Sequence, residues 1–536
     1  MTPSNPPTPR AWKKPPFIAN PLLRYGLLVM TVGYLVWAFG SLPFNWERIS
    51  EGLPRAARIF SGGFPPNLER YELLLTGFKE SFQIAILATL LGVLLSIPFA
   101  VMAARNIAPL PVYLLGRSII IISRSFHPVI VAILFVAAVG FGPLAGILTL
   151  TLYSIGFVGK LLAEEIEEID WGQVEAMRST GAGYLVTLFY AVFPQILPRQ
   201  VGLSMYQLDS NLRASAVVGI VGAGGIGGTL MNAFGRYDYD FAFAILLVII
   251  AVILLSEGIS GWVRKKNMVD REQLLADRIW QRYDRKERLI RYAALLATLM
   301  LVFWAVRDID IFWPWVWDAP NQISNLGARM WPPSAAGLSG ILNALMETVH
   351  IATLATFLTI FLALPVAYMA AQNTTPNRAC LWLGRFILVS SRSVNTIIWA
   401  LLFVAIFGPG VLAGILAIVF RSIGFIGKLM GEAIEEIDRR PVEAMEATGA
   451  SKAKVVAYAI VPQVMPAFFA IVVLRWDINI RESTVLGLVG AGGIGVILQG
   501  AIDTFAWPTV ATILIAIIVL VLLGETVTSL LRSRVL

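Results

Sequence analysis

The sequence predicts an all-α polytopic membrane protein of about twelve transmembrane helices, built as two parallel six-helix repeats. Hydrophobic residues make up 57% of its 536 residues and charged residues only 14%, and the mean hydropathy is +0.74. Soluble domains carry roughly 25% charged residues, so lipid is the natural surrounding for most of this surface. Long apolar runs recur along the chain, and the second half of the sequence repeats the first.

The two halves match each other at a nearly constant spacing of 267 or 268 positions. The marking pairs are Glu175 and Glu443, Pro194 and Pro462, Gly222 and Gly490, and Asn106 and Asn373. A fixed period of this kind indicates an internal duplication. We therefore expect a disordered cytoplasmic N-terminus over 1–20, a first repeat over 21–263, a charged cytoplasmic linker over 264–290 and a second repeat over 291–536.

Each repeat contains apolar runs for about six helices, since one crossing takes about 20 residues. In the first repeat the runs lie near 25–42, 81–104, 118–139, 143–163, 196–217 and 240–262. In the second they lie near 291–307, 347–370, 384–407, 410–431, 464–486 and 508–531. The fifth run of each repeat is the most polar, because it contains an Asp, an Asn and an Arg.

An even number of crossings gives both repeats the same orientation, so they are related by an axis along the membrane normal. Lysines and arginines collect near the chain ends, after the second helix and in the linker, and this side is expected to be cytoplasmic. Both termini then lie in the cytoplasm. Two parallel repeats naturally enclose a central path, although a duplicated scaffold without a path is the alternative.

The loop after the fourth predicted helix has the same pattern in both repeats. Glu-Ala-Met is followed by three residues, a glycine, nine residues and a short apolar stretch that ends in proline. This pattern resembles the Glu-Ala-Ala loop of ABC importer permeases, with Met in place of the second alanine. The matching residues are Glu175, Ala176, Gly181 and Pro194, and Glu443, Ala444, Gly449 and Pro462.

The resemblance implies that these residues form a short helix that docks on an ATPase subunit and transmits its closure. Glycine permits the positive φ that ends such a helix, and proline suits the start of the next one. An ordinary helix–turn–helix loop is the alternative for a single repeat, and its recurrence at fixed spacing argues against that.

Flanking segments resemble the permeases of phosphonate ABC importers, which are binding-protein-dependent, type I permeases of the MetI-like fold. The similarity extends over roughly 78–262 and 345–531, and it is carried by segments such as 142–148, 154–160 and 479–495. It implies a permease in the bacterial inner membrane that imports phosphonate or a related oxyanion, phosphite or phosphate. The implied partners are two ATPase subunits and an extracytoplasmic phosphonate-binding protein.

Several alternatives stay open beside this one. One is a permease of the same architecture that carries another solute such as methionine. An ion-driven secondary transporter would need carboxylates in mid-membrane, where only Asp209 and Asp477 come close. No segment fits the Gly-x4-Gly-Lys-[Ser/Thr] phosphate loop, so we expect no enzyme activity and no cofactor in this chain, with ATP and Mg²⁺ bound by partner subunits. One cysteine and two histidines predict neither an internal disulfide nor a histidine-based metal site.

Polar residues inside apolar helices are candidates for an anion pathway, because intramembrane charge is usually functional and arginine binds oxyanions bidentately. These candidates are Arg124, Ser125, His127, Arg392, Ser393, Asn395, Asn211, Arg213, Asn479 and Arg481. Snorkelling to the cytoplasm is the alternative for Arg124 and Arg392. Ion pairs with Asp209 and Asp477, four residues earlier, are the alternative for Arg213 and Arg481.

A glycine-rich segment precedes the last helix of each repeat. Its glycines are Gly222, Gly224, Gly225 and Gly227, and Gly490, Gly492, Gly493 and Gly495. The spacing fits Gly-x-Gly-x-x-Gly, but apolar membrane helices flank it in place of the required βαβ unit. A gate element and a tight helix-packing contact both remain possible. The aromatic segments 44–77 and 308–345 are expected to be interfacial helices.

Overall fold

The chain is helical along its described length. The structure, a computed structural model, describes residues 21–267 and 285–535. The helices of the first repeat are α1 (Pro21–Ser41), α2 (Trp46–Gly62), α3 (Tyr71–Ala103), α4 (Leu110–Ser125), α5 (Pro128–Val139), α6 (Pro143–Glu167), α7 (Trp171–Ser179), α8 (Tyr184–Thr187), α9 (Phe193–Val218), α10 (Ile226–Gly235) and α11 (Tyr239–Asn267). A π-helical turn over Leu188–Val192 joins α8 to α9.

The second repeat follows the same order. Its helices are α12 (Arg285–Asp308), α13 (Trp313–Met330), α14 (Leu338–Ala370), α15 (Arg378–Ser393), α16 (Thr396–Phe407), α17 (Val411–Glu435), α18 (Arg439–Ala447), α19 (Lys452–Val455), α20 (Val461–Leu486), α21 (Ile494–Asp503) and α22 (Trp507–Val535). A second π-helical turn, Val456–Ile460, joins α19 to α20. The N-terminus 1–20 and most of the predicted linker lie outside the described residues.

Seven helices in the described ranges are long and apolar enough to cross a membrane, and three bent pairs raise this number to ten. The first helix of each repeat, α1 or α12, is 21 or 24 residues long, which is also enough for one crossing. The predicted interfacial segments contain α2 and α13, whose lengths are 17 and 18 residues. The all-α membrane fold predicted from the sequence is thus confirmed.

The third predicted helix of each repeat is not one straight span. α4 meets α5 at an angle of 93°, and α15 meets α16 at the same angle. In the first repeat Pro128 lacks a backbone N–H and forces the residue before it into an extended conformation. In the second repeat the break has no proline, and Asn395 caps the start of α16 instead. Two different local sequences therefore produce the same bend.

The helical segment after the Glu-Ala-Met loop of each repeat starts earlier than expected. It resumes at Tyr184, ten residues before Pro194, and continues to Val221. Pro194 therefore does not begin the helical run, and Pro462 has the equivalent position in the second repeat. Each proline directly follows a π-helical turn, in which the N–H of Phe193 or Val461 reaches back five residues. This wider turn accommodates a proline inside a continuous helix.

The two repeats exchange peripheral elements. α12 of the second repeat packs against α3 of the first, α13 packs against α5, and α2 packs against α16. α11 also contacts α15 across the boundary between the repeats. The described residues from Phe44 onward form one compact unit, and α1 belongs to a separate one.

Candidate functional site

α7 and α18 are short helices at corresponding places in the two repeats, each following the last residues of a long membrane helix. Glu175 and Ala176 are exposed on α7, and Glu443 and Ala444 are exposed on α18. Val174 points the other way and is buried in the first repeat's core. Each helix thus has one anchored side and one accessible side that carries the glutamate and the alanine.

A glutamine fixes each of these short helices to the membrane helix that follows. The side chain of Gln195 accepts a hydrogen bond from the Asp170 N–H (2.9 Å) and donates to its carbonyl oxygen (3.3 Å). Gln463 makes the same two contacts with Asp438, at 3.0 and 3.2 Å. Sequence reasoning missed both glutamines. The available signal was the Pro-Gln dipeptide that occurs at the matching position of both repeats.

The ends of α7 and α18 are also built alike. Asp170 and Asp438 cap the starts by accepting from the backbone N–H of the residue two positions later, at 2.9 and 3.0 Å. Gly181 and Gly449 follow the helices with φ values of +82° and +73°. A side chain at such a φ is strained, so the glycines set the chain reversal that the sequence predicted.

The bend between α4 and α5 carries three of the predicted pathway residues. Arg124 lies in the last turn of α4, and its guanidinium has no hydrogen-bond or ion-pair partner in the described part of the chain. Ser125 is buried and donates to the carbonyl of Ile121 in its own helix (2.8 Å). His127 caps α5, because its Nδ1 accepts from the Val129 N–H (3.3 Å).

The equivalent bend of the second repeat carries an arginine that does have an ionic partner. Arg392 forms an ion pair with Glu257 on α11, which belongs to the first repeat. Ser393 donates to its own helix at the carbonyl of Val389 (2.8 Å), and Asn395 caps α16 by accepting from the Ile397 N–H (3.1 Å). Arg392 therefore joins the two repeats, whereas Arg124 at the matching position does not.

The fifth helix of each repeat pairs its own charges, as the spacing predicted. Arg213 forms an ion pair with Asp209, and Arg481 forms one with Asp477. The two aspartates are almost fully buried, and both arginine side chains are about a quarter exposed, 25% and 26%. Each arginine thus compensates a buried carboxylate and still reaches accessible space.

Asn211 lies inside a polar cluster of the first repeat. Its amide nitrogen donates to Thr89 and Ser154 at 2.9 and 3.0 Å, and its oxygen accepts from Gln207 at 2.8 Å. Asn479 occupies the same place in the second repeat and donates to Thr356 (2.8 Å). Both asparagines are fully buried. In this conformation they connect helices within one repeat, and their pathway role remains a prediction.

Within the described ranges, the second repeat contains a buried cluster of three charged residues that the first repeat lacks. Arg475, with a side chain 2% exposed, donates to Ser422 at 2.8 Å and pairs with Glu482 at 3.2 Å. The carboxylate of Glu482 also faces Arg421 at 3.4 Å and accepts from the hydroxyl of Thr396. Two guanidinium groups therefore share one carboxylate between α16, α17 and α20.

The two repeats differ at every charged position of this cluster, and Glu482, for example, matches Ala214 in the first repeat. The residues that match Arg421 and Arg475 in the first repeat are Tyr153 and Gln207. A comparison of the repeats at every position, restricted to charged residues in apolar runs, would have found all three. The contact of Arg421 with the other two could not be read from the sequence, because Arg421 lies on α17 whereas Arg475 and Glu482 lie on α20.

The glycine-rich segments form turns at the ends of α9 and α20. Three glycines of each turn have positive φ, namely Gly222, Gly224 and Gly225, and Gly490, Gly492 and Gly493. A Cβ atom at Gly227 would lie 2.1 Å from the carbonyl oxygen of Ala216, and at Gly495 the carbonyl oxygen of Thr484 is 2.7 Å away. The segments are therefore packed too closely for any side chain at these positions.

The long helices α3 and α14 hold the turns in place. Ser81 accepts from the backbone N–H of Ile226 at the start of α10 (2.9 Å). In the second repeat Thr348 accepts from Ile494 (2.8 Å) and Glu347 accepts from Gly493 (2.9 Å). These contacts support the packing interpretation of the glycines, and a gating role is not tested by them.

A cleft of about 640 Å³ opens where the first repeat meets α12 and α13. Lys79 and Gln83 of α3 contact Asp308 at its wall, at 2.5 and 2.7 Å. The first residues of α6 also line the cleft, whereas α7 follows the last residue of α6. The cleft and α7 are therefore at opposite ends of that helix.

The fold and these paired short helices define a duplicated permease-type membrane protein, and comparison with known proteins agrees. The family model described as binding-protein-dependent transport system inner membrane component matches residues 96–268 and again 363–536. The chain therefore belongs to this family and carries two copies of its domain. This confirms the duplication and the expected resemblance to binding-protein-dependent permeases.

Two curated relatives extend the comparison. The chain is 36% identical over 501 residues to the phosphate-import permease protein PhnE of Mycolicibacterium smegmatis, covering 93% of this chain and 92% of that protein. It is 40% identical over 230 residues to the phosphite transport system permease protein PtxC of Stutzerimonas stutzeri, covering 43% and 83%. Among solved structures, the inward-facing MetNI methionine ABC transporter matches with 21% identity and a TM-score of 0.34, covering 38% of this chain and all of that one.

Proposed function

We propose that this chain supplies both transmembrane halves of an ATP-binding-cassette importer for a phosphorus oxyanion, that is, phosphonate, phosphite or phosphate. The observation that carries the substrate class is the similarity over nearly the whole chain to a phosphate-import permease. The shorter similarity to a phosphite permease supports the same class. Half-buried arginines from both repeats fit an anionic substrate, because guanidinium groups bind such oxygens bidentately.

The exposed faces of α7 and α18 are the proposed docking sites for two ATPase subunits. Each face carries one glutamate beside one alanine, and the anchoring glutamines connect it rigidly to a membrane helix. ATP and Mg²⁺ bind to those subunits, and this chain has no enzymatic role. Closure of the ATPase dimer moves the two short helices together and opens the path between the repeats to the outside.

The rest of the topology follows from that assignment. α7 and α18 lie on the cytoplasmic side of the bacterial inner membrane, together with both termini and the charged linker over 264–290. The cleft between α3, α12 and α13 then opens on the opposite side, where an extracytoplasmic binding protein delivers the anion. The two permease repeats, 21–263 and 291–536, supply one docking site each.

Charge reversal on the exposed glutamates tests the coupling role. The double variant Glu175→Arg and Glu443→Arg should fold, because both side chains are on the surface, but it should no longer retain the ATPase subunits during purification. Glu69→Arg is the matched control, since Glu69 is exposed and precedes α3 at the other end of the molecule. Normal ATPase association in the double variant would overturn the docking assignment.

Uptake by the reconstituted complex tests the substrate class. Proteoliposomes containing the permease, its ATPase and its binding protein are supplied with labelled phosphate, phosphite, methylphosphonate or methionine. ATP-dependent uptake of at least one phosphorus oxyanion and exclusion of methionine are expected. Methionine uptake would favour the permease for another solute, and uptake without ATPase subunits would favour an ion-driven carrier.

A further inference from the structure

Four arginines from both repeats converge near the boundary between them. Arg124 packs against α6, since a Cβ atom at Gly156 would lie 2.7 Å from its Cγ. Arg124, Arg421 and Arg481 all act electrostatically on Tyr153, which lies three residues before Gly156 on that helix. Arg475 lies beside these arginines because it and Arg421 both contact the carboxylate of Glu482. The bend of the first repeat therefore faces the charged cluster of the second.

His127, at the same bend as Arg124, also lies near the charged cluster of the second repeat. Glu482, Arg421 and Arg481 are all within electrostatic range of its ring. Arg421 also donates to the carbonyl of Val394 at the bend of the second repeat (3.3 Å). The convergence thus lies where the bends of both repeats approach α20.

The charges at this point do not balance. The four arginines are Arg124, Arg421, Arg475 and Arg481. Among the described residues, the carboxylates that pair with them are those of Glu482 and Asp477, which leaves two positive charges in excess. Uncompensated charge is costly at membrane depth, and a buried ion pair is stable only when each charge is compensated. A small dianion would remove the excess.

The cluster is also one-sided. The residues that match Arg421, Arg475 and Glu482 in the first repeat are Tyr153, Gln207 and Ala214, which are neutral. The ion pairs of the first repeat, in contrast, are balanced, as Arg213 is with Asp209. The symmetric fold therefore encloses one cationic site and not two.

We propose that this convergence is a single oxyanion-binding site inside the membrane, formed by Arg421 and Arg481 of the second repeat and Arg124 of the first. Arg475 and Glu482 are positioning residues that hold the Arg421 guanidinium toward the path. The inference rests on the proposed import function and adds to it the location, the number and the asymmetry of the site.

The first repeat supplies a fold-compatible way to test the site. The triple variant Arg421→Tyr, Arg475→Gln and Glu482→Ala gives the second repeat the neutral residues that the same fold already holds in the first. It should assemble with the ATPase at the wild-type yield. Equilibrium binding of labelled inorganic phosphate to the permease–ATPase complex, without binding protein, should weaken at least about tenfold, because charge-assisted contacts are lost.

The matched control exchanges another ion pair that is specific to one repeat. Arg199 pairs with Glu165 at 2.8 Å, and the second repeat has alanines at both positions. The double variant Arg199→Ala and Glu165→Ala should leave phosphate binding within about twofold of wild type. Equal losses in both variants would show a general effect of exchanging residues and would overturn the site.

Arg124→Gln tests the site even if the triple variant fails to assemble. Arg124 has no ionic partner in the described part of the chain, so its removal leaves no carboxylate uncompensated. Phosphate binding should again weaken at least about tenfold with assembly intact. Unchanged binding would overturn the proposed site. If the wild-type complex transports none of the phosphorus oxyanions, the import function itself fails, whereas transport by wild type and by both site variants refutes this site alone.

Discussion

At the scale of single residues, the most consequential feature is a carboxylate placed between two guanidinium groups. Glu482 is almost fully buried, and it accepts from Thr396 while facing Arg421 and Arg475. Burying an ion pair brings little net stability, but removing one partner leaves a charge uncompensated. Glu482 is therefore expected to matter more for folding than any exposed carboxylate of the same helix bundle.

The substitution Glu482→Gln should destabilise the protein by about 3 kcal/mol, because it leaves two neighbouring arginines without a counter-charge. The loss of stability is measured by thermal unfolding in detergent, monitored by size-exclusion chromatography. Glu525→Gln is the control, since Glu525 on α22 is exposed. A change in unfolding temperature no larger than that of the control would contradict the compensating role of Glu482.

At the scale of elements, side-chain hydrogen bonds hold the short surface helices and the glycine turns in place. Gln195 and Gln463 join the two short surface helices to the spans that follow them. The glycine turns join α9 to α10 and α20 to α21, and α3 and α14 cap the helices after the turns. The glutamine contacts and the glycine turns both occur twice at the same offset. Each repeat therefore positions its own short helix and its own turn.

The close packing of the glycine turn gives an element-scale prediction. Gly227→Ala would place a Cβ atom 2.1 Å from the carbonyl oxygen of Ala216, and overpacking of this kind costs about 1–3 kcal/mol. The adjacent Gly228 is the matched control, since its Cβ would lie 3.5 Å from the nearest atom. Lower expression and thermal stability are expected for Gly227→Ala alone, and equal behaviour of both variants would refute the packing role.

Loosening the anchor of α7 gives a second prediction at this scale. Gln195→Leu removes both contacts with the backbone of Asp170 and should raise amide hydrogen exchange over residues 170–181, because the helix can then open locally. The corresponding segment 438–449 of the same molecule is an internal control, since its anchor Gln463 is intact. Unchanged exchange over 170–181 would show that Val174 alone holds the helix.

At the scale of the whole molecule, the repeats are joined by exchanged elements in addition to the covalent linker. The first helix of the second repeat packs on α3, each amphipathic helix packs on the opposite repeat, and Arg392 pairs with Glu257 across the boundary. This arrangement buries large apolar surfaces between the repeats, which favours their association without a continuous chain.

A split protein tests this expectation. Coexpressed fragments covering 1–275 and 276–536 should purify as one complex, because the exchanged helices supply the interface. Adding Glu257→Arg should lower the recovery of the complex, since it places two like charges together. The fragments carrying Glu69→Arg serve as the control. Fragments that purify separately would show that the linker is what keeps the repeats together.

The sequence alone was sufficient for the features that depend on local patterns. Apolar runs predict spans because each crossing must satisfy its own backbone, and a repeat is visible wherever two segments match at one offset. The approximate positions of the spans, the duplication and the loop with Gly181 and Gly449 followed from such patterns. The bends at His127 and Asn395 did not, because an apolar run has the same composition whether it is straight or broken.

Only the tertiary structure decided which distant residues meet. Arg421, Arg475 and Glu482 are spread over 62 positions of the chain, and nothing in their spacing shows that two arginines share one carboxylate. The same holds for Arg392 and Glu257, which belong to different repeats. Charge compensation inside a membrane depends on distances between helices, and those distances are set by packing across the whole bundle rather than by the order of residues along one helix.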